Sequence, residues 1–389
     1  MRKSYSVEVL IQTTQLVQRF YLFFIGTYLG ATALLAQHAA EEPLKKSIKP
    51  DSLLQLTSSG LALPIVFYSP ETQVAGGIVG IYYFRLPGSP STSRASNIKG
   101  DAIYTQLGQL FLQLQPQIYI LNETYFIDAD FSFIRFADKF WGIGNSTGWE
   151  NEERYENEIV RVRLIVFRQL FPKLNIGIQY HNETFTMLSV VPNGALATDP
   201  TILGRKGSKN TGIGLLFNYD SRDNTFSPTH GSFYQATLMN YNRVLGGNHD
   251  FWLFTFDARK FLAFQDGTVL AVQGYFSLAS GRVPFQMLPR LGGSARMRGF
   301  YEGRFRDKQL LVMQGEYRRP LLWRFGMAVF LGLGSVSGSV DEIALKRLKV
   351  AYGIGIRFAI TPEERVFARL DFGKAAGTYG FYIQVNEAF

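Results

Sequence analysis

The sequence predicts an all-β protein: a single antiparallel transmembrane β-barrel of sixteen strands, with one long loop folded into its lumen as a plug. Three observations carry this reading. From Leu61 to the last residue, nearly every segment alternates apolar residues with polar or glycine residues, the two-residue period of strands with one face in lipid. The runs number sixteen, an even count, as an antiparallel barrel requires. No linker interrupts the rhythm, which favours one closed sheet over the two or more soluble domains that about 350 residues would otherwise suggest.

The only long apolar stretch, Phe20–Ala36, follows Arg2, Lys3 and Arg19 and ends in small residues. It reads as a secretory signal peptide over 1–36, with cleavage after Ala36, Ala39 or Ala40. Residues 37–60 are polar and too short for a domain, and read as a short periplasmic N-terminal segment. The barrel is expected over 61–389. Mean hydropathy is near zero, which excludes a bundle of membrane helices. Removing Arg2, Lys3, Arg19 and Glu8 with the signal lowers the formal charge from +9 to +7. The remaining basic residues are spread over strands and the chain is exported, so nucleic acid is not an expected partner. With no cysteine, disulfides, thiolate metal sites and a lipidated N-terminal cysteine are excluded.

The first expected strand is Leu61–Tyr68. It contains Pro64, which cannot donate to a ladder and so belongs on an edge or weakly paired strand. Val74–Phe84, Ile98–Leu107, Gln109–Leu121 and Thr124–Phe136 follow, then a loop over Ala137–Arg154. In Tyr155–Arg168, Val160, Val162, Leu164 and Val166 take one face and Arg161 and Arg163 the other. Lys173–Leu188 precedes an expected exposed loop, Ser189–Ser208. The eighth run sets Ile213, Leu215, Phe217 and Tyr219 against Gly212, Gly214, Asn218 and Asp220. The ninth is Gly231–Val244. The tenth sets Trp252, Phe254 and Phe256 against Thr255, Asp257 and Arg259, and Thr268–Leu278 is the eleventh.

After the long loop, Gln309–Arg319 places Gln314, Glu316 and Arg318 on its polar face. The next run sets Phe325, Met327, Val329 and Leu331 against Gly326, Ala328 and Gly332. Leu348–Phe358 turns Lys349, Gly353, Gly355 and Arg357 to the polar face; Val366–Phe372 does so with Arg369 and Asp371; Tyr379–Asn386 is the last. Charges set so regularly opposite Phe and Trp fit a lipid-facing barrel better than a soluble sandwich, whose strands also alternate. Tyr68, Trp252, Tyr317, Trp323 and Tyr379, near run ends, suit interfacial aromatic girdles.

The loop holds Leu291-Gly292-Gly293-Ser294-Ala295-Arg296-Met297-Arg298-Gly299-Phe300. Arg298 reads as a plug arginine that folds back to meet a carboxylate on the inner wall, because an unpaired buried charge is costly. Gly299 permits a tight turn and Phe300 supplies an apolar anchor. The expected partners are Glu316 and, second, Asp371, each on the polar face of its strand. The seam where the first and last strands meet is expected to be weak, with Pro64 and Gly380 as its soft points and Phe389 closing the chain.

Five segments carry a family resemblance. Tyr219-Asp220-Ser221-Arg222-Asp223-Asn224-Thr225-Phe226-Ser227-Pro228-Thr229-His230-Gly231 resembles the Y-D-T-R-D-N-x-x-x-P-x-x-G segment of the BamA/TamA superfamily, the bacterial surface antigen family. Gly292-Gly293 with Met297-Arg298-Gly299-Phe300 resembles its V-R-G-F/Y loop. Glu316-Tyr317-Arg318-Arg319-Pro320 resembles its E-Y-R-x-P strand, and Arg369-Leu370-Asp371-Phe372-Gly373 and Glu387-Ala388-Phe389 fit as well. The resemblance implies a sixteen-stranded outer-membrane barrel, with the arginine loop in the lumen, that inserts or translocates other proteins. It makes Asp220, Arg222, Asp223, Pro228 and Gly231 a turn on the periplasmic rim. Two departures stand out. Residues 37–60 cannot hold one of the family's periplasmic POTRA repeats, and Phe330-Leu331-Gly332-Leu333-Gly334 lacks the acid of its F-x-D-x-G strand at Gly332.

Expected partners are therefore outer-membrane lipid and unfolded outer-membrane protein clients or subunits of an assembly complex. The competing readings are an accessory or scaffold barrel and a low-conductance channel. The inward Arg161, Arg163, Arg259, Arg357 and Arg369 would make such a channel prefer anions. No enzyme, cofactor or metal is expected: His38, His181, His230 and His249 lack ligand spacing.

Overall fold

The computed structural model describes residues 58–389 apart from 88, 90–93 and 343–346. The expected signal peptide and nearly all of the N-terminal segment lie outside the described residues. Residues 58–60, assigned above to that segment, instead open the first strand.

The strands are β1 (Ser58–Ser69), β2 (Gln73–Phe84), β3 (Ser96–Thr105), β4 (Leu110–Ile120), β5 (Tyr125–Phe140), β6 (Glu153–Phe171), β7 (Leu174–Val190) and β8 (Ser208–Asp220). They continue with β9 (Gly231–Tyr241), β10 (Phe251–Ala263), β11 (Val269–Gly281), β12 (Arg290–Leu291), β13 (Phe305–Arg306) and β14 (Gln309–Pro320). The last are β15 (Phe325–Ser337), β16 (Lys349–Thr361), β17 (Val366–Ala375) and β18 (Thr378–Val385). All but β12 and β13 form one closed antiparallel barrel of sixteen strands in chain order, with β14 beside β11 and β18 returning to β1. The two-residue strands β12 and β13 pair with each other inside the β11–β14 connection.

Each expected run is a strand of the barrel, and the differences are at the ends. Phe140 pairs with Glu153, so β5 and β6 shorten the expected loop 137–154 from both sides. The loop before β8 is not simply exposed. It contains a helical turn, Ala195–Thr198, whose first amides are capped by Glu153 at 2.7 and 3.2 Å. Leu196 and Ile202 from this loop are buried in a cluster with Phe140, Tyr241, Phe251 and Phe285.

Burial is inverted relative to a water-soluble protein. On β16, Ile354 is 62% exposed while Arg357 is 2% exposed; on β15, Leu331 is 52% exposed while its neighbours Phe330 and Gly332 are buried. Apolar side chains facing outward around a ring of ladders, with charges inside, are the solution a bilayer imposes on strands. Among the described residues no helix is long and apolar enough to cross a membrane. Trp252, Tyr317, Trp323 and Tyr379 are all exposed on the outer surface.

Candidate functional site

The β11–β14 connection, residues 282–308, is held at its base by the β12–β13 ladder, with Arg290 opposite Arg306 and Leu291 opposite Phe305. Its tip carries Arg298. Leu291, Met297, Phe300 and Phe305 form a buried apolar cluster with Leu310 and Val312 of β14, Val336 of β15, Ala351 of β16 and Ala375 of β17. Phe300 meets the Phe305 ring edge-on at 5.7 Å. Arg296 is half-buried with its guanidinium 4.1 Å from the Tyr275 ring centre.

Arg298 is 2% exposed. Its Nη1 donates to Asp371 Oδ2 at 2.5 Å and its Nη2 to Glu316 Oε2. The guanidinium lies 3.6 Å from the centre of the Phe330 ring. Burial opposes its charge, but Glu316 and Asp371 outweigh that and hold its pKa above the usual arginine value. The same two carboxylates serve the strands: Glu316 accepts from Arg318 at 2.7 Å and Arg357 at 3.2 Å, and Asp371 from Arg357 at 2.5 Å and Arg369 at 3.0 Å. Glu387 adds a third carboxylate, 2.9 Å from Arg357 and 3.6 Å from Arg318. The structure thus brings together four buried guanidiniums and three carboxylates from β14, β16, β17, the loop tip and the segment after β18.

The tip approaches the wall through glycines. Gly299 has φ +115°, a conformation other residues rarely adopt, and a Cβ on Gly373 of β17 would lie 2.6 Å from the carbonyl oxygen of Arg298. Gly332, where the family pattern carries an acid, makes room for Met297: a Cβ there would lie 2.8 Å from the Met297 sulfur. The turn at Gly292-Gly293 has both residues at positive φ.

The β8–β9 turn holds Asp220, Arg222, Asp223, Pro228 and Gly231. Arg222 pairs with Asp220 at 2.7 Å and stacks 4.6 Å from the Phe233 ring centre. Pro228 is buried, and Gly231 has φ +103° with its backbone against the Ser221 carbonyl. Asp223 accepts the amides of Thr229 at 2.9 Å and His230 at 3.1 Å, and pairs with Arg365 from the β16–β17 turn. Asn224 Nδ2 also reaches the Glu364 carbonyl at 3.2 Å. Burial acts to raise the Asp223 carboxyl, but Thr229, Arg365 and the two amides hold it well below the usual range. A depressed folded-state pKa stabilises above the unfolded value, and that stability is lost only as pH falls through the lower one. The amides of Thr229 and His230 should therefore keep their exchange protection down to about pH 4, whereas Asp223→Ala, which removes the acceptor, should lose it. The Asp223–Arg365 pair is partly exposed, so Arg365→Ala should cost less than about 1 kcal/mol in chemical unfolding.

At the seam, among the described residues, β1 and β18 are joined by a single cross-strand pair, Tyr68 opposite Ile383. By contrast β1 and β2 stay in register along their full length, from Ser58 opposite Phe84 to Ser69 opposite Gln73. Pro64 sits inside β1 opposite Ile78 of β2, and Gly380 pairs with Gly373 of β17. Phe389 does not lie at the seam. Asn386, at φ +68°, turns the chain, and Phe389 is buried against Phe261 of β10 and Ala271 of β11 while its carbonyl accepts from Arg318 at 3.0 Å.

The five inward arginines read as an anion-preferring wall are each ion-paired: Arg161 with Glu183, Arg163 with Asp128, Arg259 with Asp257, and Arg357 and Arg369 with Asp371. Glu183, Asp128 and, for Arg357, Asp371 come from neighbouring strands, whereas Arg259 and Arg369 pair with an acid two residues along their own strand, so each of these charges is answered locally. Among the described residues no cluster could hold a metal ion.

A closed antiparallel barrel with an apolar exterior and a buried charged interior is the architecture of an outer-membrane β-barrel. The chain belongs to the Omp85 superfamily, whose superfamily domain matches residues 130–389. Outer-membrane barrels of this superfamily are non-catalytic. In fold it is similar to BamA from Haemophilus ducreyi lacking POTRA domains 1–3, at 11% identity and a TM-score of 0.58, covering 85% of this chain and 70% of that one. It is also similar to CdiB from Acinetobacter baumannii, at 10% identity and a TM-score of 0.55, covering 84% of this chain and 59% of that one. No curated protein matches the sequence.

Proposed function

We propose that this chain is an outer-membrane barrel of the BamA/TamA type that assists insertion or translocation of other outer-membrane proteins. In this reading residues 1–36 export it, and residues 282–308 fold into the lumen as a plug fixed by Arg298 on Glu316 and Asp371. The seam offers its strand edges to a client, and the β8–β9 turn lies on the periplasmic rim.

The observation that carries the reading is the seam. Tyr68 is near the end of β1 and Ile383 near the end of β18, so the two strands overlap only at their ends. Among the described residues, most of the β1 edge and the first part of the β18 edge have no ladder partner. Unpaired backbone groups in a bilayer cost several kcal/mol each, which favours their pairing with an incoming strand. A barrel whose seam matched its other ladders would resist opening far more strongly.

Reconstitution tests this. Lipid vesicles carrying the purified chain should convert a urea-unfolded outer-membrane protein to its folded, protease-resistant form faster than empty vesicles. Equal rates would remove the insertase reading in favour of an accessory or scaffold barrel.

A further inference from the structure

Among the described residues the seam strands make one cross-strand pair, yet the barrel is closed, so something else holds the edges together. The turn joining β1 to β2 supplies one half of the answer. Ser69, Glu71 and Thr72 are buried there, unusual for a hairpin tip. Gln109, fully buried, donates from Nε2 to the Glu71 carbonyl at 3.0 Å and to the Ala137 carbonyl at 2.8 Å. From the loop, the Glu302 amide donates to Glu71 Oε1 at 2.8 Å.

The other half is on β18. Tyr382 is fully buried, and its hydroxyl accepts the Gly299 amide at 3.0 Å. Gly299 also rests on β17 at Gly373, and Arg369 of β17 donates to the Ser294 carbonyl at 3.3 Å. Gly299 and Glu302 are therefore three residues apart on one segment while gripping opposite sides of the seam. Both grips are main-chain amides on buried side-chain acceptors, so each has a defined geometry and a penalty when lost.

We propose that Tyr382 and Glu71 are positioning residues of the seam: the segment Gly299–Glu302 clamps β18 through Tyr382 and the β1–β2 hairpin through Glu71, and so closes an interface that its own strands barely secure. The proposal rests on the reading of the seam as the client exit, and it adds what governs that exit. The loop regulates opening by spanning the two edges, in addition to filling space. A client or partner that lifts Gly299–Glu302 releases both edges at once.

The chain has no cysteine, so a pair placed by substitution reports cleanly. Tyr68→Cys with Ile383→Cys sets two thiols directly opposite across the seam, and their rate of disulfide formation under mild oxidation reads the closed population. Adding Glu71→Ala and Tyr382→Phe should slow that rate at least about fivefold, with each single change intermediate. Glu71→Gln, which keeps an acceptor oxygen, should restore the parent rate. Protease cleavage near Arg296 should stay suppressed throughout, because Arg298 still holds the tip. An unchanged rate in the doubly substituted protein would overturn the clamp. So would loss of protection near Arg296, since the two bonds would then be holding the loop and not the seam. Should that protein fail to fold, Tyr382→Phe alone carries the test, because β18 keeps its ladder with β17. Client insertion measured on the same proteins separates the two ideas. A loosened seam with unchanged insertion would remove the lateral exit and leave the clamp standing. An unchanged seam would remove the clamp and leave the exit untouched.

Discussion

Glu316→Ala is expected to destabilise the protein by about 3–5 kcal/mol, the cost of removing one partner from a buried ion pair. The carboxylate is fully buried and answers three guanidiniums, those of Arg298, Arg318 and Arg357. Its loss leaves four buried cations, Arg298, Arg318, Arg357 and Arg369, with only Asp371 and Glu387 to answer them. The charge balance also predicts an asymmetry. Arg298→Met removes a cation from a cluster with one cation in excess and leaves three of each sign, whereas Glu316→Ala deepens the excess. The arginine change should therefore cost less stability than the glutamate change, even though it frees the loop more completely. Chemical unfolding in vesicles measures the first quantity and protease cleavage near Arg296 the second. Equal or reversed stability losses would show that charge balance does not govern the cluster.

Gly373→Val should expel the loop tip outright. The new Cβ would stand 2.6 Å from the Arg298 oxygen and 2.8 Å from the Gly299 nitrogen, both main-chain atoms that have no rotamer to give. Overpacking of this kind costs about 1–3 kcal/mol, and any retreat of the tip adds the loss of the Arg298 pairs. Rapid cleavage near Arg296, with the barrel still folded, is the expected result. Gly315→Ala is the control: the nearest atoms to its Cβ are 3.9 Å away, and protection should be unchanged.

How much of this was legible in the sequence follows from which forces are local. Strand identity is local. Alternation of Val160, Val162 and Leu164 with Arg161 and Arg163 needs no partner to be seen, and β6 is where the pattern put it. The inward positions of Glu316 and Asp371 follow from the same period, so their meeting with Arg298 could be proposed. The roles of Arg318 and Arg357 were within reach, since both lie on the polar faces of their strands.

What depends on register was not legible. The arginines of the inner wall are visible in the sequence, and Arg259 and Arg369 have their acids two residues along the same strand, but Arg161 meets Glu183 only because β6 and β7 place them opposite each other. The seam was expected to be weak at Pro64 and Gly380, as a property of single residues. The structure shows a weakness of alignment, with the end of one strand against the end of the other. Phe389 was placed at that seam because nothing in the sequence announces that Asn386 turns the chain inward. Glu71, Gln109 and Tyr382 lie in ordinary strand and turn contexts, and only the docked loop gives them a role.

The most direct measurement is client insertion by the Tyr68→Cys, Ile383→Cys protein, compared before and after reduction in one vesicle preparation. If the strand edges at the seam receive the client, the oxidised protein inserts at the rate of empty vesicles and reductant restores activity to the level of the cysteine-free parent. Full activity while the disulfide is intact would contradict the account.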